Sequence, residues 1–291
     1  MRISMALTDY SVPGGPAELA RHLAGVARAA EDAGLDTVWV TDHLVQGDPA
    51  DNPDEAMLEA YTTLGFLAAQ TRTVRLGAMV TPVTYRQPSV LVKAVTTLDV
   101  LSGGRAWFGV GAGYHKAEAQ TMGLPLPPVA ERFDRLDELL RLALHMWSGD
   151  DTPFPGRYHR LDRAVCSPPP LSRPHPPILV GGMGEQRTLR LVARYADACN
   201  LFDIPDGGRT LRHKLETLAE HCRTQGRDVD DIEVTVSTRL EPGETPEAFT
   251  RRCQALRELG AEHVVVLADG LWTEQAVGVL ADVVESLGRR R

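Results

Sequence analysis

The sequence predicts a (β/α)8 barrel built as one domain over residues 1–291. Three observations carry that expectation. Short β-branched or apolar runs alternate with longer helix-period stretches from one end of the chain to the other, the pattern of repeated βα units around a parallel sheet. Eight such units can be traced in the 291 residues, more than a doubly wound sheet would need. Hydrophobic residues at 43% and charged residues at 24% are the proportions of a globular domain with a sizeable core, not of a coiled coil or a disordered tail.

Strands are expected at 2–7, 37–40, 75–80, 106–110, 178–180, 198–201, 232–236 and 263–267, each as short as barrel strands are. Helices are expected at 16–33, 57–70, 89–101, 130–147, 185–195, 209–225, 246–259 and 273–287. The first helix shows the logic. Leu19, Leu23, Val26, Ala27 and Ala30 share one face, which packs on the sheet, while Glu18, Arg21 and Arg28 fall elsewhere. Gly34, Gly226 and Gly260 stand just past helix ends as stop signals. Two stretches break the rhythm. Residues 45–56 follow the second strand on the face where barrels place their chemistry, so this loop could cover a pocket. Residues 148–177 form an insertion before the fifth strand, and Pro168, Pro169, Pro170, Pro174, Pro176 and Pro177 keep its second part from being helical.

Lys plus Arg number 31 against 39 Asp plus Glu, a net charge of −8 that repels a phosphate backbone and argues against nucleic-acid binding. No apolar run reaches the length of a membrane span and no signal-peptide pattern opens the chain, so a cytoplasmic protein acting on a small molecule is expected. Cys166, Cys199, Cys222 and Cys253 lack a Cys-x-x-Cys pair and read as reduced structural thiols, and the nine scattered histidines show no metal-binding spacing.

Four strand exits could carry chemistry. Thr41, Asp42 and His43 end the second strand, where His43 could exchange protons near neutral pH; equally, Asp42 could cap a turn and His43 pack beneath a loop. The third strand ends in Met79, Val80, Thr81 and Pro82 and then turns into Tyr85, Arg86, Gln87 and Pro88, a rigid exit on which a ligand ring could pack. The fourth runs into Gly109, Val110, Gly111, Ala112 and Gly113, whose spacing lacks the dinucleotide fingerprint but allows close backbone approach, with Tyr114 and His115 as a polar edge. After the fifth strand, Gly181, Gly182, Met183 and Gly184 lead into a helix whose free N–H groups suit a phosphate, with Arg187 and Arg190 nearby. Tyr10 and Val45 are further candidates for the pocket lining.

Taken in order, three stretches resemble the luciferase-like monooxygenase superfamily, and within it the bacterial oxidoreductases of the deazaflavin coenzyme F420. They are Ala29-Ala30-Glu31-Asp32-Ala33-Gly34-Leu35-Asp36-Thr37-Val38-Trp39-Val40-Thr41-Asp42-His43, Leu98-Asp99-Val100-Leu101-Ser102-Gly103-Gly104-Arg105, and Pro177-Ile178-Leu179-Val180-Gly181-Gly182-Met183-Gly184 with Arg194-Tyr195-Ala196-Asp197-Ala198. The resemblance implies a homodimeric barrel with a flavin or deazaflavin ring at the strand C-termini and its phosphate on the loop after the fifth strand. It implies a bulge in the third strand, with a non-proline cis peptide at about Met79 to Val80. Asp42 and His43 match the family's acid and histidine beside the ring, and Gly111 to Tyr114 match the loop along the cofactor. The chain departs from its relatives in reading Tyr114-His115-Lys116-Ala117-Glu118, with Tyr114 where glucose-6-phosphate-oxidising relatives place a catalytic carboxylate. Tyr114 or His43 would then donate the proton. Three readings follow from the resemblance: an F420-dependent hydride-transferring oxidoreductase; an FMN-dependent monooxygenase supplied by a separate reductase; and a flavin carrier without turnover.

Overall fold

A computed structural model describes residues 1–46 and 55–288. Its elements run β1 (Arg2–Leu7), α1 (Pro16–Asp32), β2 (Thr37–Val40), α2 (Ala60–Gln70), β3 (Arg75–Ala78), β4 (Thr81–Pro82), α3 (Pro88–Ser102), β5 (Phe108–Gly111), α4 (Lys116–Thr121) and α5 (Val129–Trp147). They continue with β6 (Phe154–Pro155), β7 (Arg160–Leu161), β8 (Ile178–Gly181), α6 (Thr188–Tyr195), β9 (Ala198–Phe202), α7 (Arg209–Gln225), a 3-10 turn (Val229–Asp231), β10 (Glu233–Arg239), α8 (Pro246–Glu258), β11 (His263–Leu267) and α9 (Glu274–Gly288).

The main sheet is parallel, in the order β3-β2-β1-β11-β10-β9-β8-β5-β4. Its first and last strands meet, because β3 and β4 are two halves of one barrel strand. Below the break, Leu76 bridges Ala106 in parallel fashion; above it, Thr81 and Pro82 pair with Val110 and Gly111. Among the described residues the ring therefore closes with eight strand positions, and β6 pairs with β7 in a small antiparallel ribbon inside 148–177. At the break the Met79–Val80 peptide is cis, at the position the resemblance implied.

Why the barrel has a floor and an open mouth is visible in its residues. Trp39 and Trp107, with ring centroids 5.5 Å apart, fill the lower interior, and the Trp39 indole N–H donates to Ser4 Oγ at 3.1 Å. A side chain at Gly77 would run into both indoles, its Cβ 2.6 Å from Trp39 and 2.7 Å from Trp107. Ala6, Leu179, Ala198 and Val265 pack with these indoles in the interior, and Ala6 and Val265 also line the cavity at the strand C-termini. A second, larger apolar layer joins the outer sheet face to the helices; Leu19, Leu23, Val26, Ala27 and Ala30 of α1 belong to it, as their spacing predicts.

Several boundaries differ from the sequence expectation for definable reasons. The strand expected over 75–80 ends at Ala78 because the bulge turns Met79 and Val80 inward. The second helix begins at Ala60, not at 57, because the Glu59 side chain accepts from Thr62 N and caps it there. The helix after β8 begins at Thr188, not at 185. The strand expected at 232–236 continues to Arg239, and α4 was not expected at all. Of the expected loop over 45–56, residues 47–54 lie outside the described residues. All four cysteines are free. Among the described residues no helix is long and apolar enough to cross a membrane.

Candidate active site

Two cavities open at the C-terminal ends of the strands and share Thr41, His43, Tyr114 and Leu267. The deeper one, about 430 Å³, is lined by Met79, Val80, Pro82, Gly111, Ala112, Gly113, Gly181 and Gly182, with Ala6, Thr188, Asn200, Phe202, Ser237 and Val265 completing its wall. The outer one, about 790 Å³, is the more polar of the two: Thr8, Asp9, Gln46, Glu55, His115, Lys116, Arg239 and Asp269 contribute to it beside the apolar Met57, Leu267 and Ala268. Both volumes fall in the range of small-molecule and cofactor sites.

His43 stands at the junction, and its orientation is determined from behind. Its Nδ1 lies 2.8 Å from Oε2 of Glu118, a residue of α4 whose side chain is fully buried. The same carboxylate accepts the backbone N–H of Leu44 at 2.5 Å and the hydroxyl of Tyr85. Burial alone would raise the Glu118 pKa; the hydrogen bonds from His43, Tyr85 and Leu44 outweigh it and hold the group below the usual carboxylate range. An ionised carboxylate can only accept, so Nδ1 of His43 carries the hydrogen and Nε2 is left for the cavity. Tyr85 is pushed in the opposite direction, by burial first and by its bond to the Glu118 carboxylate second, so it stays a protonated donor.

Asp42 lies elsewhere. Thr41 and His43 reach the cavities, whereas the residue between them points the other way, as alternation along an extended segment requires. Its carboxylate is 1% exposed and takes a forked pair of hydrogen bonds from Arg86, from Nη1 at 2.5 Å and from Nη2 at 3.0 Å. Arg86 also pairs with Glu59 and lies over the Tyr61 ring, 4.9 Å from its centroid. Burial lowers the Arg86 pKa, but the two carboxylates more than reverse this and fix its positive charge. Asp42 therefore lines neither cavity, in contrast to the place beside a ring that the sequence resemblance implied. Tyr10, also expected at the pocket, is 1% exposed and its hydroxyl has no hydrogen-bond partner among the described residues.

The remaining sequence candidates divide. Thr81 is fully buried and hydrogen-bonds the Tyr61 hydroxyl at 2.9 Å, outside the cavity lining. Met183 and Gly184 also fall outside it; Thr188, the first residue of α6, takes that part of the wall. Tyr114 lines both cavities, 72% exposed, with its ring 6.1 Å from that of His43. The alternate glycines of β5 have a different cause from the one their spacing suggests. A Cβ at Gly109 would lie 2.0 Å from the Ala78 carbonyl oxygen and one at Gly111 would lie 2.8 Å from Val80, so these glycines accommodate the bulged strand.

Glu118, Thr188, Asn200 and Ser237 were not singled out in the sequence, and Tyr85 was noted only as part of a rigid strand exit. Asn200 and Ser237 hydrogen-bond each other at 3.0 Å across β9 and β10 and present polar edges in a mainly apolar wall. For Glu118 a signal existed: His115 and Glu118 have the spacing of an N-cap and the third helical residue, the pattern of a capping box.

Comparison with known proteins agrees with this architecture. Residues 1–277 match the family described as luciferase-like monooxygenase. The chain belongs to that family. An F420-dependent glucose-6-phosphate dehydrogenase from Kineococcus radiotolerans is 33% identical over 233 residues, a match covering 77% of this chain and 65% of that protein. Among solved structures, an F420-dependent secondary alcohol dehydrogenase in complex with an F420-acetone adduct superimposes with a TM-score of 0.83 at 18% identity, covering 98% of each chain. The monooxygenase RslO1 from Streptomyces bottropensis gives a TM-score of 0.81 at 18% identity, covering 99% of this chain and 100% of that one. At such identities the structural likeness concerns the fold.

Proposed function

We propose that this chain is an F420-dependent oxidoreductase that transfers hydride between the deazaflavin and a small polar organic substrate, with His43 handling the accompanying proton. The observation that carries this reading is the junction itself: an apolar, glycine-walled cavity and a polar cavity meet at a histidine whose tautomer is held by a buried carboxylate. The F420-dependent relatives support the cofactor, and the polar outer cavity supports a small polar substrate.

The residues present fit such a cofactor. The deeper cavity offers apolar surface from Met79, Val80, Ala112 and Val265 for a ring, and Thr41 Oγ1 at the junction is buried without a partner among the described residues. Gly111, Ala112, Gly113, Gly181 and Gly182 would hold it by close backbone approach, and Thr188 stands at the N-terminus of α6, where an anionic group is favoured. A bound deazaflavin supplies a hydride acceptor when oxidised and a hydride donor when reduced. Nε2 of His43, aimed at the junction, takes a proton from a substrate hydroxyl in one direction and returns it in the other, while Glu118 stabilises the cationic imidazole. Tyr114, which lines both cavities, is the competing proton donor.

FMN in the same cavity, with a separate reductase, is the second reading, in keeping with the match to the luciferase-like monooxygenase family. Titration of the purified protein with oxidised F420 and with FMN decides between them: saturable F420 binding tighter than FMN binding supports the first, and tight FMN binding without F420 binding overturns it. A carrier without turnover would leave the Glu118–His43–Tyr85 arrangement without a task. Homodimerisation belongs to the same proposal, supported by an apolar groove between α2 and α3 that exposes Val90 and Leu101 beside Gly65 and Ala94. Light scattering measures it, and a monomer at micromolar concentration overturns it.

A further inference from the structure

We propose that His115 is a second substrate-reading imidazole, fixed in the tautomer opposite to that of His43, so that together they recognise a hydroxyl group that becomes a carbonyl. This inference rests on the functional reading above and adds to the same site a specificity-determining residue, one that reads an alcohol or the corresponding ketone.

The argument begins with Glu118, which determines both rings. Its carboxylate accepts from Nδ1 of His43, and its backbone N–H donates to Nδ1 of His115 at 2.9 Å. A backbone N–H can only donate, so Nδ1 of His115 is the bare nitrogen and its hydrogen sits on Nε2. One residue thus leaves His43 with an accepting Nε2 and His115 with a donating Nε2–H. The two rings are 5.9 Å apart, centroid to centroid and steeply inclined at 76°, and both line the polar cavity. A hydroxyl oxygen is the group that satisfies such a pair. It donates its hydrogen to one ring and accepts from the other, and a carbonyl left after oxidation still accepts from His115. A carboxylate or phosphate would leave the accepting Nε2 without a donor, and an ammonium would leave the donating Nε2–H without an acceptor.

Position on the chain adds a second reason. His115 is the N-cap of α4, where Ser, Thr, Asp or Asn is the ordinary choice and satisfies the same backbone N–H. A residue that caps and also carries a second hydrogen-bonding nitrogen into the cavity does more than a cap requires. The surrounding Thr8, Gln46, Arg239 and Asp269 give the rest of the substrate polar contacts, which suits a polyol or hydroxy compound better than a plain hydrocarbon alcohol. In the oxidation direction the carbinol loses its C–H electron pair as hydride to the oxidised deazaflavin and its O–H proton to Nε2 of His43, and a C=O bond forms with His115 donating to its oxygen; reduction reverses each transfer.

The test uses the full-length protein and separates this inference from the reading on which it rests. In 15N-labelled protein without cofactor, the ring nitrogen shifts are expected to show the hydrogen on Nδ1 of His43 and on Nε2 of His115; a hydrogen on Nδ1 of His115 overturns the proposal. With F420 bound, a panel of 2-propanol, cyclohexanol, glycerol and myo-inositol, and of the matching ketones with reduced F420, is followed by the cofactor's absorbance. His115→Ser keeps a good cap and the fold, yet kcat/KM for reacting panel members is expected to fall about tenfold or more, the loss of one hydrogen bond to a developing charge. A pure capping role predicts wild-type kcat/KM in His115→Ser, and that result overturns the proposal, as does bound F420 with no turnover of any panel member. Failure of F420 to bind at all contradicts the functional reading instead, whereas a hydrogen on Nδ1 of His115 overturns this inference with or without the cofactor.

Discussion

Asp42 and Glu118 are both buried carboxylates beside the segment 41–44, and they are used differently. Asp42 is the immediate neighbour of His43 in the chain but turns away and pairs with Arg86, which pairs with Glu59 in turn. Glu118 lies 75 positions from His43, yet its oxygens meet the imidazole, the Leu44 N–H and the Tyr85 hydroxyl. A buried carboxylate must find compensating donors, and the donors it finds define its work. One of the pair anchors the loop to the scaffold. The other holds the ring that faces the cavities.

That contrast can be broken by substitution. The largest effect is expected at the ring: His43→Ala should lower the turnover rate by about 10²- to 10⁴-fold while F420 binding changes far less. Equal loss in binding and rate would make His43 a packing residue. Next comes Asp42→Asn, which leaves Arg86 only Glu59 as a carboxylate partner and should cost about 3 kcal/mol of stability, read from chemical denaturation, with the rate per folded molecule little altered. A large rate loss in a stable Asp42→Asn protein would erase the distinction between the two carboxylates.

Acid sharpens the comparison further. The Glu118 carboxyl is held below its ordinary value of 4.5, so its hydrogen bonds contribute stability that is fully present above that value and is lost as pH falls through the lower folded value. Activity and stability should therefore decline together below about pH 4.5 in the wild type, and Glu118→Gln should flatten the stability part of that decline. A wild-type stability profile that Glu118→Gln leaves unchanged would contradict the assignment. The smallest effect is expected on the cofactor side, where Thr188→Val should weaken F420 binding by up to about tenfold, the worth of one hydrogen bond to an anion. Thr188 is a cleaner probe than Gly182, whose φ of +123° would strain any side chain regardless of a ligand.

The barrel was legible because its βα units alternate two periods, and each strand or helix carries its own pattern. Features that depend on contacts between distant segments were not. The break after Ala78 leaves no periodic trace, and its cause becomes visible only when Val80 is seen against Gly111 and Gly181. The helix α4 spans six residues, too few to show a period of 3.6. His43 could be singled out as a residue type at a strand exit, but Asp42 carried the same signal, and only its pairing with Arg86, 44 positions away, separates the two. Glu118 was the reverse case. It sat in plain view after the glycines, and its spacing from His115 hinted at a cap, but nothing local connected it to His43.

The central claim is that Glu118, and not Asp42, sets the state of His43. Nitrogen chemical shifts of the His43 ring, recorded in the wild type, Glu118→Gln and Asp42→Asn without any ligand, test it most directly. The account predicts hydrogen on Nδ1 in the wild type and in Asp42→Asn, and a mixture of tautomers in Glu118→Gln. A ring disturbed by Asp42→Asn and untouched by Glu118→Gln would contradict it.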